Sequence, residues 1–182
     1  MKQKKRPAIF LDRDGVLIVE KNFLVDPADI EFFPQTISAL TAIKSDYLKI
    51  VISNQSGIAR GYFSAADVDR IDSELSTRLN GHGIFIDSWY YCPHGPEDNC
   101  SCRKPGTGMI TSAARELNID LAASWMIGDK TSDIEAGKKT GLRTILVKTG
   151  YGGAEPEALN VTPDYTAPDI LGAIEYINRS LF

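Results

Sequence analysis

Two acidic side chains, Asp12 and Asp14, flank a single residue directly after the apolar run Ala8-Ile9-Phe10-Leu11. A short apolar run bounded by a basic tail reads as a buried parallel strand. Residues i and i+2 of an extended chain point to the same side. Both carboxylates therefore share one small volume at the strand's C-terminal end, where ligands of open α/β sheets collect. Like charges so close are unfavourable unless a cation or a proton separates them, and hard oxygen donors of this kind suit Mg²⁺. One carboxylate can then attack an electrophile while the other moves a proton. Taken alone, Asp14-Gly15 also fits a solvated turn, because Asp and Gly are ordinary turn residues.

A second group of reactive residues reads Cys92-Pro93-His94, a five-residue gap, then Cys100-Ser101-Cys102. It holds all three cysteines of the chain and one of its two histidines. An odd thiol count without an export signal argues against a disulfide framework. Three thiolates and an imidazole match a closed tetrahedral Cys₃His zinc site, the structural pattern, and a set of buried reduced cysteines is the other reading. Arg103-Lys104 follows the last of these ligands, so zinc on Cys92, His94, Cys100 and Cys102 would hold a polar loop with little core and fix the backbone of two cations.

The elements that must position these residues alternate along the chain. Ile18 to Asp29 lacks a helical period and contains Asp26-Pro27, so it reads as a loop over the strand ends, where substrate selection is common. Pro34 opens a helix with Ile37, Leu40 and Ile43 on one side. Lys49 to Ile52 is the second strand, ending in the hydroxyl- and amide-rich turn Ser53-Asn54-Gln55-Ser56-Gly57, whose donors could hold a phosphate. Ser64 and Asp67 form a capping-box-like start to a helix with Val68, Ile71, Leu75 and Leu79 inward, ended by Gly81. An extended run covers Ile84 to Tyr91, a third helix carries Met109, Ile110, Ala113, Ala114 and Leu117, and Ser124 to Ile127 is a strand. Gly128-Asp129-Lys130 closes that strand and a helix runs on to Gly141. Arg143 to Val147 reads as the last central strand, Thr149 to Gly153 as a mobile loop, and Pro168-Asp169 as the start of a C-terminal helix. This order predicts right-handed βαβ units and a doubly wound, Rossmann-like parallel sheet between helices.

A chain of 182 residues, 43% hydrophobic and 24% charged, fits one globular domain spanning residues 1–182. Its net charge of −4 argues against a general nucleic-acid binder, which would show a basic surface. An anionic substrate must then meet a local group of cations. Met1 to Arg6 carries four basic residues with no apolar stretch after it long enough for a signal peptide or a membrane span. These features give the expectation of a cytoplasmic protein with a frayed N-terminal tail and no nucleic-acid or membrane partner.

Phe10-Leu11-Asp12-Arg13-Asp14-Gly15, Val51-Ile52-Ser53-Asn54-Gln55, Arg103-Lys104-Pro105 and Ile127-Gly128-Asp129 resemble, in order, the four motifs of the haloacid dehalogenase superfamily. The resemblance implies a Mg²⁺-dependent phosphatase working through an aspartyl-phosphate. By that resemblance Asp12 is the nucleophile, and Asp14 protonates the leaving alcohol and then takes a proton from the hydrolytic water. Asp129 ligates Mg²⁺ together with Asp12 and the backbone carbonyl of Asp14. Lys104 and the Ser53 hydroxyl are the candidates to neutralise the transferred phosphoryl group, and Lys130, beside Asp129, can also meet the substrate. No stretch is long enough for the large cap domain of many superfamily members, so the site is expected to be open.

The pairs Cys92-x-His94 and Cys100-x-Cys102, followed by Arg-Lys-Pro, and the segment Asn54 to Gly61 narrow the resemblance to the D-glycero-D-manno-heptose-1,7-bisphosphate 7-phosphatases. That family, which serves lipopolysaccharide biosynthesis, implies substrate contacts from Glu20, Lys21, Asn22 and Phe23, from Ser53, Asn54, Gln55 and Ser56, and from Arg103. The chain departs from the pattern at Val16 and Ile18, where Thr and Asn are usual, and at Asn22-Phe23, where Gly-Tyr is usual. Histidinol-phosphate phosphatase, with a similar zinc loop, is one alternative reading, and a non-catalytic zinc-stabilised binding module is another. A monomer is expected.

Overall fold

Strands Ala8–Leu11 (β1), Leu48–Asn54 (β2), Ser88–Cys92 (β3), Trp125–Gly128 (β4), Arg143–Val147 (β5) and Tyr165–Ala167 (β6) form one sheet in a computed structural model that describes residues 5–180. The order is β3-β2-β1-β4-β5-β6 and every pairing is parallel. From β1 the chain winds outward through β2 and β3, then returns to the other side of β1 for β4. The switch point between β1 and β4 is where an open α/β sheet forms its ligand crevice.

Helices cover both faces. Ile9, Leu11, Val51, Ile127, Ile145 and Val147 pack against α1 (Thr36–Ala42), α2 (Ala65–Asn80) and α5 (Ile170–Arg179), through residues such as Leu40, Ile71 and Ile174. Ala8, Phe10, Ile50, Ile52 and Met126 face the other way, toward Met109, Ile110 and Ala113 of α3 (Gly108–Glu116) and Ala136 of α4 (Thr131–Lys139). Alternate residues of β1 thus go to opposite layers, which is why the run had to be apolar throughout. No helix among the described residues is long and apolar enough to cross a membrane.

Three expectations need correction. The run from Ile84 is a strand only from Ser88, because pairing with β2 starts at Ile50↔Ser88; Ile84 is buried and Phe85 exposed. The sheet gains a sixth strand, β6, three residues long and bracketed by Pro163 and Pro168, too short to show a period in sequence. Of the basic N-terminal stretch, residues 1–4 lie outside the described residues. Arg6 is not frayed: its amide donates to Asn118 O (3.3 Å) and its carbonyl accepts from Asp120 N (2.8 Å).

The N-terminus of α2 has the expected capping box: Ser64 N donates to Asp67 Oδ2 (2.7 Å) and Asp67 N donates to Ser64 Oγ (3.3 Å). Ser64→Ala removes the hydroxyl that accepts from Asp67 N and donates to Asp67 Oδ2, and should lower stability by ~1 kcal/mol. Urea unfolding of the variant checks this, an unchanged midpoint being the contrary result.

Candidate active site

The Asp12 amide donates to Ile127 O (3.0 Å), carrying the β1–β4 pairing one residue past β1. Asp12 and Asp129 consequently leave adjacent strands side by side, and carboxylate oxygens of Asp12, Asp129 and Asp133, all buried, lie within 4.8 Å of one another. Asp129 Oδ2 accepts from Tyr151 N (2.8 Å), whereas Oδ1 is buried without a hydrogen-bond partner. Buried polar atoms are normally satisfied, so this oxygen fits a cation ligand. Burial, with Asp12 and Asp133 nearby, pushes Asp129 up to about 8. Gly15 and Gly150, at φ +85 and +60, close around the same carboxylate, and a Cβ on either would overlap Asp129 Oδ2.

Asp133 went unread in sequence, although its place four residues after Asp129 puts it on the first turn of α4. Both of its oxygens are engaged, Oδ2 by Lys130 N (3.1 Å) and Oδ1 by Lys104 Nζ (2.6 Å). Its part is to orient Lys104. Burial raises Asp133 to about 6, with Lys104 opposing the rise. With Asp133 engaged, Asp12 and Asp129 are the acids of this group left to hold a cation, and the Asp14 carbonyl accepts no hydrogen bond among the described residues.

Lys104 is 3% exposed, and its ammonium contacts Asp12 Oδ1 (2.9 Å), Asp133 Oδ1 (2.6 Å) and Ile52 O (3.0 Å). Burial alone would lower its pKa, but the two carboxylates outweigh it and the group stays charged. Asn54 fixes the backbone that carries it: its side chain accepts from Lys104 N (3.0 Å) and donates to Lys104 O (3.1 Å). Asn54 therefore serves the site by holding Lys104, with its amide already committed. Asp14 Oδ2 accepts from Arg13 Nε (3.0 Å) and Gln55 Nε2 (3.0 Å), with Ser53 Oγ at 3.5 Å.

Cys92, His94, Cys100 and Cys102 converge as the spacing required. His94 Nδ1 lies 3.5 Å from Cys92 Sγ and 3.3 Å from Cys102 Sγ, and the sulfur pairs are 3.1 to 3.6 Å apart. Three sulfurs and one imidazole nitrogen around a single point fit the tetrahedral donor set of zinc. Arg103 leaves this loop with its amide on Cys100 Sγ (3.4 Å) and its Nη1 on His94 O (3.3 Å).

A cleft of about 680 Å³ opens over Asp12 and Lys104. Of the residues expected at the substrate, Glu20, Asn22, Phe23, Ser53, Asn54, Gln55, Ser56, Arg103 and Lys130 line it. Lys21 does not: its ammonium pairs with Glu31 (2.6 Å) outside the cleft. Lys130 sits 3.6 Å from Glu20 and 4.6 Å from the centre of the Tyr151 ring. Arg60 and Tyr151 also line the cleft and were not anticipated. The loop expected to be mobile is tied to the site, by Tyr151 N to Asp129 Oδ2, Gly153 N to Asp129 O (2.8 Å) and Thr149 Oγ1 to Gly15 O (2.7 Å).

A HAD-hydrolase-like family model matches residues 101–173. The D-glycero-β-D-manno-heptose-1,7-bisphosphate 7-phosphatase of Haemophilus ducreyi is 40% identical over 183 residues, covering 95% of this chain and 99% of that one. The enzyme of the same name from Pasteurella multocida is 42% identical over 153 residues, covering 80% and 83%. Among solved structures, the D,D-heptose 1,7-bisphosphate phosphatase of B. bronchiseptica, complexed with magnesium and phosphate, superposes with a TM-score of 0.85 at 32% identity, covering 96% and 99%.

Two outcomes follow from the metal-binding groups. At pH 7 metal-free Asp129, at about 8, holds a proton that a cation must displace. Folded Asp129 binds that proton more tightly than the unfolded chain, so its contribution to metal-free stability is full below the ordinary carboxylate range and is lost as pH rises through about 8. Added Mg²⁺ should therefore raise Tm more at pH 8 than at pH 6, and equal shifts would contradict the assignment. Elemental analysis of protein purified with reductant and without chelator should find one zinc per chain, lost in Cys100→Ser. Because the sheet has its own core, hydrogen exchange should then show loosening confined to residues 92–104.

Proposed function

Since the chain belongs to the family of D-glycero-D-manno-heptose-1,7-bisphosphate 7-phosphatases, within the haloacid dehalogenase-like hydrolases, we propose that it removes the 7-phosphate of D-glycero-β-D-manno-heptose 1,7-bisphosphate. The observation that carries this reading is the buried Asp12–Lys104 contact (2.9 Å) at the floor of a cleft that Arg60, Arg103 and Lys130 also line. One cation serves the transferred group, and others remain for a second phosphate.

Asp12 attacks phosphorus in line, forming an aspartyl-phosphate as the bond to O7 breaks. Asp14 gives its proton to the departing O7. Asp14 then takes a proton from water as the water oxygen bonds to phosphorus and Asp12 is released. Lys104 and the Ser53 hydroxyl offset the charge of the transferring group. Mg²⁺ held by Asp12, Asp129 and the Asp14 carbonyl would supply further neutralisation of that charge. Zinc on Cys92, His94, Cys100 and Cys102 would fix the loop from which Arg103 and Lys104 emerge. Arg103, with a planar fork, suits the remote phosphate. The same reading has one domain, a monomer acting in the cytoplasm on a small sugar phosphate, without nucleic acid or membrane partner. Its support is the net charge of −4 and the one six-stranded sheet that, among the described residues, positions the site.

A phosphate-release screen over the heptose bisphosphate, histidinol phosphate and 3′-phosphorylated DNA tests this, and wild-type preference for either of the latter two would contradict it. Asp12→Asn should lower kcat by on the order of 10⁴-fold or more while leaving the fold intact. Arg103→Ala should reduce kcat/KM for the bisphosphate by ~10- to 100-fold, the value of a charged hydrogen bond, and much less for histidinol phosphate. Lys104→Ala should damage both.

A further inference from the structure

Behind Asp14 stands a buried cation that takes no direct part in the chemistry above. Arg13 is 1% exposed, and its guanidinium is divided between two carboxylates. Nε and Nη2 each lie 3.0 Å from Asp14 Oδ2, and Nη1 lies 2.9 Å from Asp72 Oδ1 on α2. Gln55 Nε2 adds another donor to the same Asp14 oxygen at 3.0 Å. The hydrogen bonds from Arg13 Nε and Gln55 Nε2 use both lone pairs of this oxygen, and the ionic contact of Nη2 crowds it further, so none is left to carry a mobile proton. Oδ1 of Asp14 accepts no hydrogen bond among the described residues, so it is the oxygen available for proton exchange.

The one-sided grip on Oδ2 has a physical origin. A guanidinium facing a lone carboxylate prefers a fork in which two parallel N–H groups take both oxygens. Here the Nε–Nη2 edge is a complete fork, but Asp72 tethers Nη1 and so holds that edge aimed at Oδ2 alone. Without Asp72, a buried guanidinium with one carboxylate partner would turn to embrace both oxygens of Asp14, occupying the one needed for proton transfer.

We propose that Asp72 is a positioning residue: through Arg13 it sets the rotation of the Asp14 carboxylate and keeps Oδ1 free for the leaving group. The inference rests on the reading of Asp14 as the proton carrier. A sugar alkoxide must be protonated as it departs, whereas p-nitrophenolate leaves as the anion. Values of kcat/KM, which report the phosphoryl-transfer step, separate the two cases.

The experiment measures kcat/KM for the heptose bisphosphate and for p-nitrophenyl phosphate in wild type, Asp72→Asn, Asp72→Glu and Asp14→Asn. Asp72→Asn should lower the sugar-phosphate value by about 10²-fold, the scale of a small misplacement of a catalytic group, and the aryl value far less. Asp72→Glu, which keeps the charge, should restore part of the ratio. Because the ratio is taken on one preparation, it does not depend on the folded fraction. If Asp72→Asn yields no soluble protein, Arg13→Lys, whose single ammonium cannot bridge the two acids, carries the same expectation. Equal losses on both substrates, or none, would overturn the proposal. If Asp14→Asn shifts the ratio and Asp72→Asn does not, only the positioning role fails. If Asp14→Asn leaves the ratio unchanged, the proton-carrier reading fails and takes the proposal with it.

Discussion

Charge buried at the strand ends governs this molecule. Asp12, Asp129 and Asp133 are buried within a few ångströms of one another, and Lys104, itself buried, lies between Asp12 and Asp133. Ions removed from water are stable only when their partners are close and well directed, so the backbone beneath them has to be held rigidly. Each nearby element can be understood as meeting that demand. Asn54 clamps the Lys104 backbone from both sides. Asp133 sits in the first turn of α4, where its second oxygen caps the helix. The loop after β5 folds back to place Tyr151 N on Asp129. Two glycines let that loop and the turn after β1 approach Asp129 more closely than any side chain would permit.

The cysteine cluster belongs to the same logic at one remove. Residues 93–107 connect β3 to α3 with only a short 3₁₀ turn of their own, and Cys92 is the one cluster residue fully in the core. A loop this polar has little hydrophobic burial to fix it, yet it must deliver Lys104 to Asp12. Four convergent ligands offer a strong local constraint in place of a core. On the other side, Asp72 performs a related service from α2, whose apolar stripe of Val68, Ile71, Leu75 and Leu79 is anchored in the sheet's helical layer.

Much of this was legible in the sequence because it depends on local pattern. Apolar runs that end in Asp12-Arg13-Asp14, Ser53-Asn54 and Gly128-Asp129 identify both strands and site, since a parallel sheet presents its strand ends together. The cysteine spacing was equally direct. What stayed hidden depends on tertiary pairing. Lys21 reads as one more cation near the substrate until Glu31 is seen beside it. Asn54 reads as a phosphate donor until Lys104 occupies it. Arg13 and Asp72 are separated by most of two βα units, and nothing local in either marks the ion pair. Asp133 was the recoverable omission, since an acid three residues after the helix N-cap Lys130 is a capping-box position that points back to the turn holding Asp129.

Turnover depends on Asp12 forming a covalent bond to phosphorus, and chemical trapping tests that most directly. Protein quenched during turnover of the heptose bisphosphate and treated with borohydride should be reduced at the acyl phosphate, and peptide mass spectrometry should then find homoserine at position 12 alone. The same treatment without substrate should leave Asp12 intact. Homoserine at another acid, or none in protein shown to be turning over, would contradict the account.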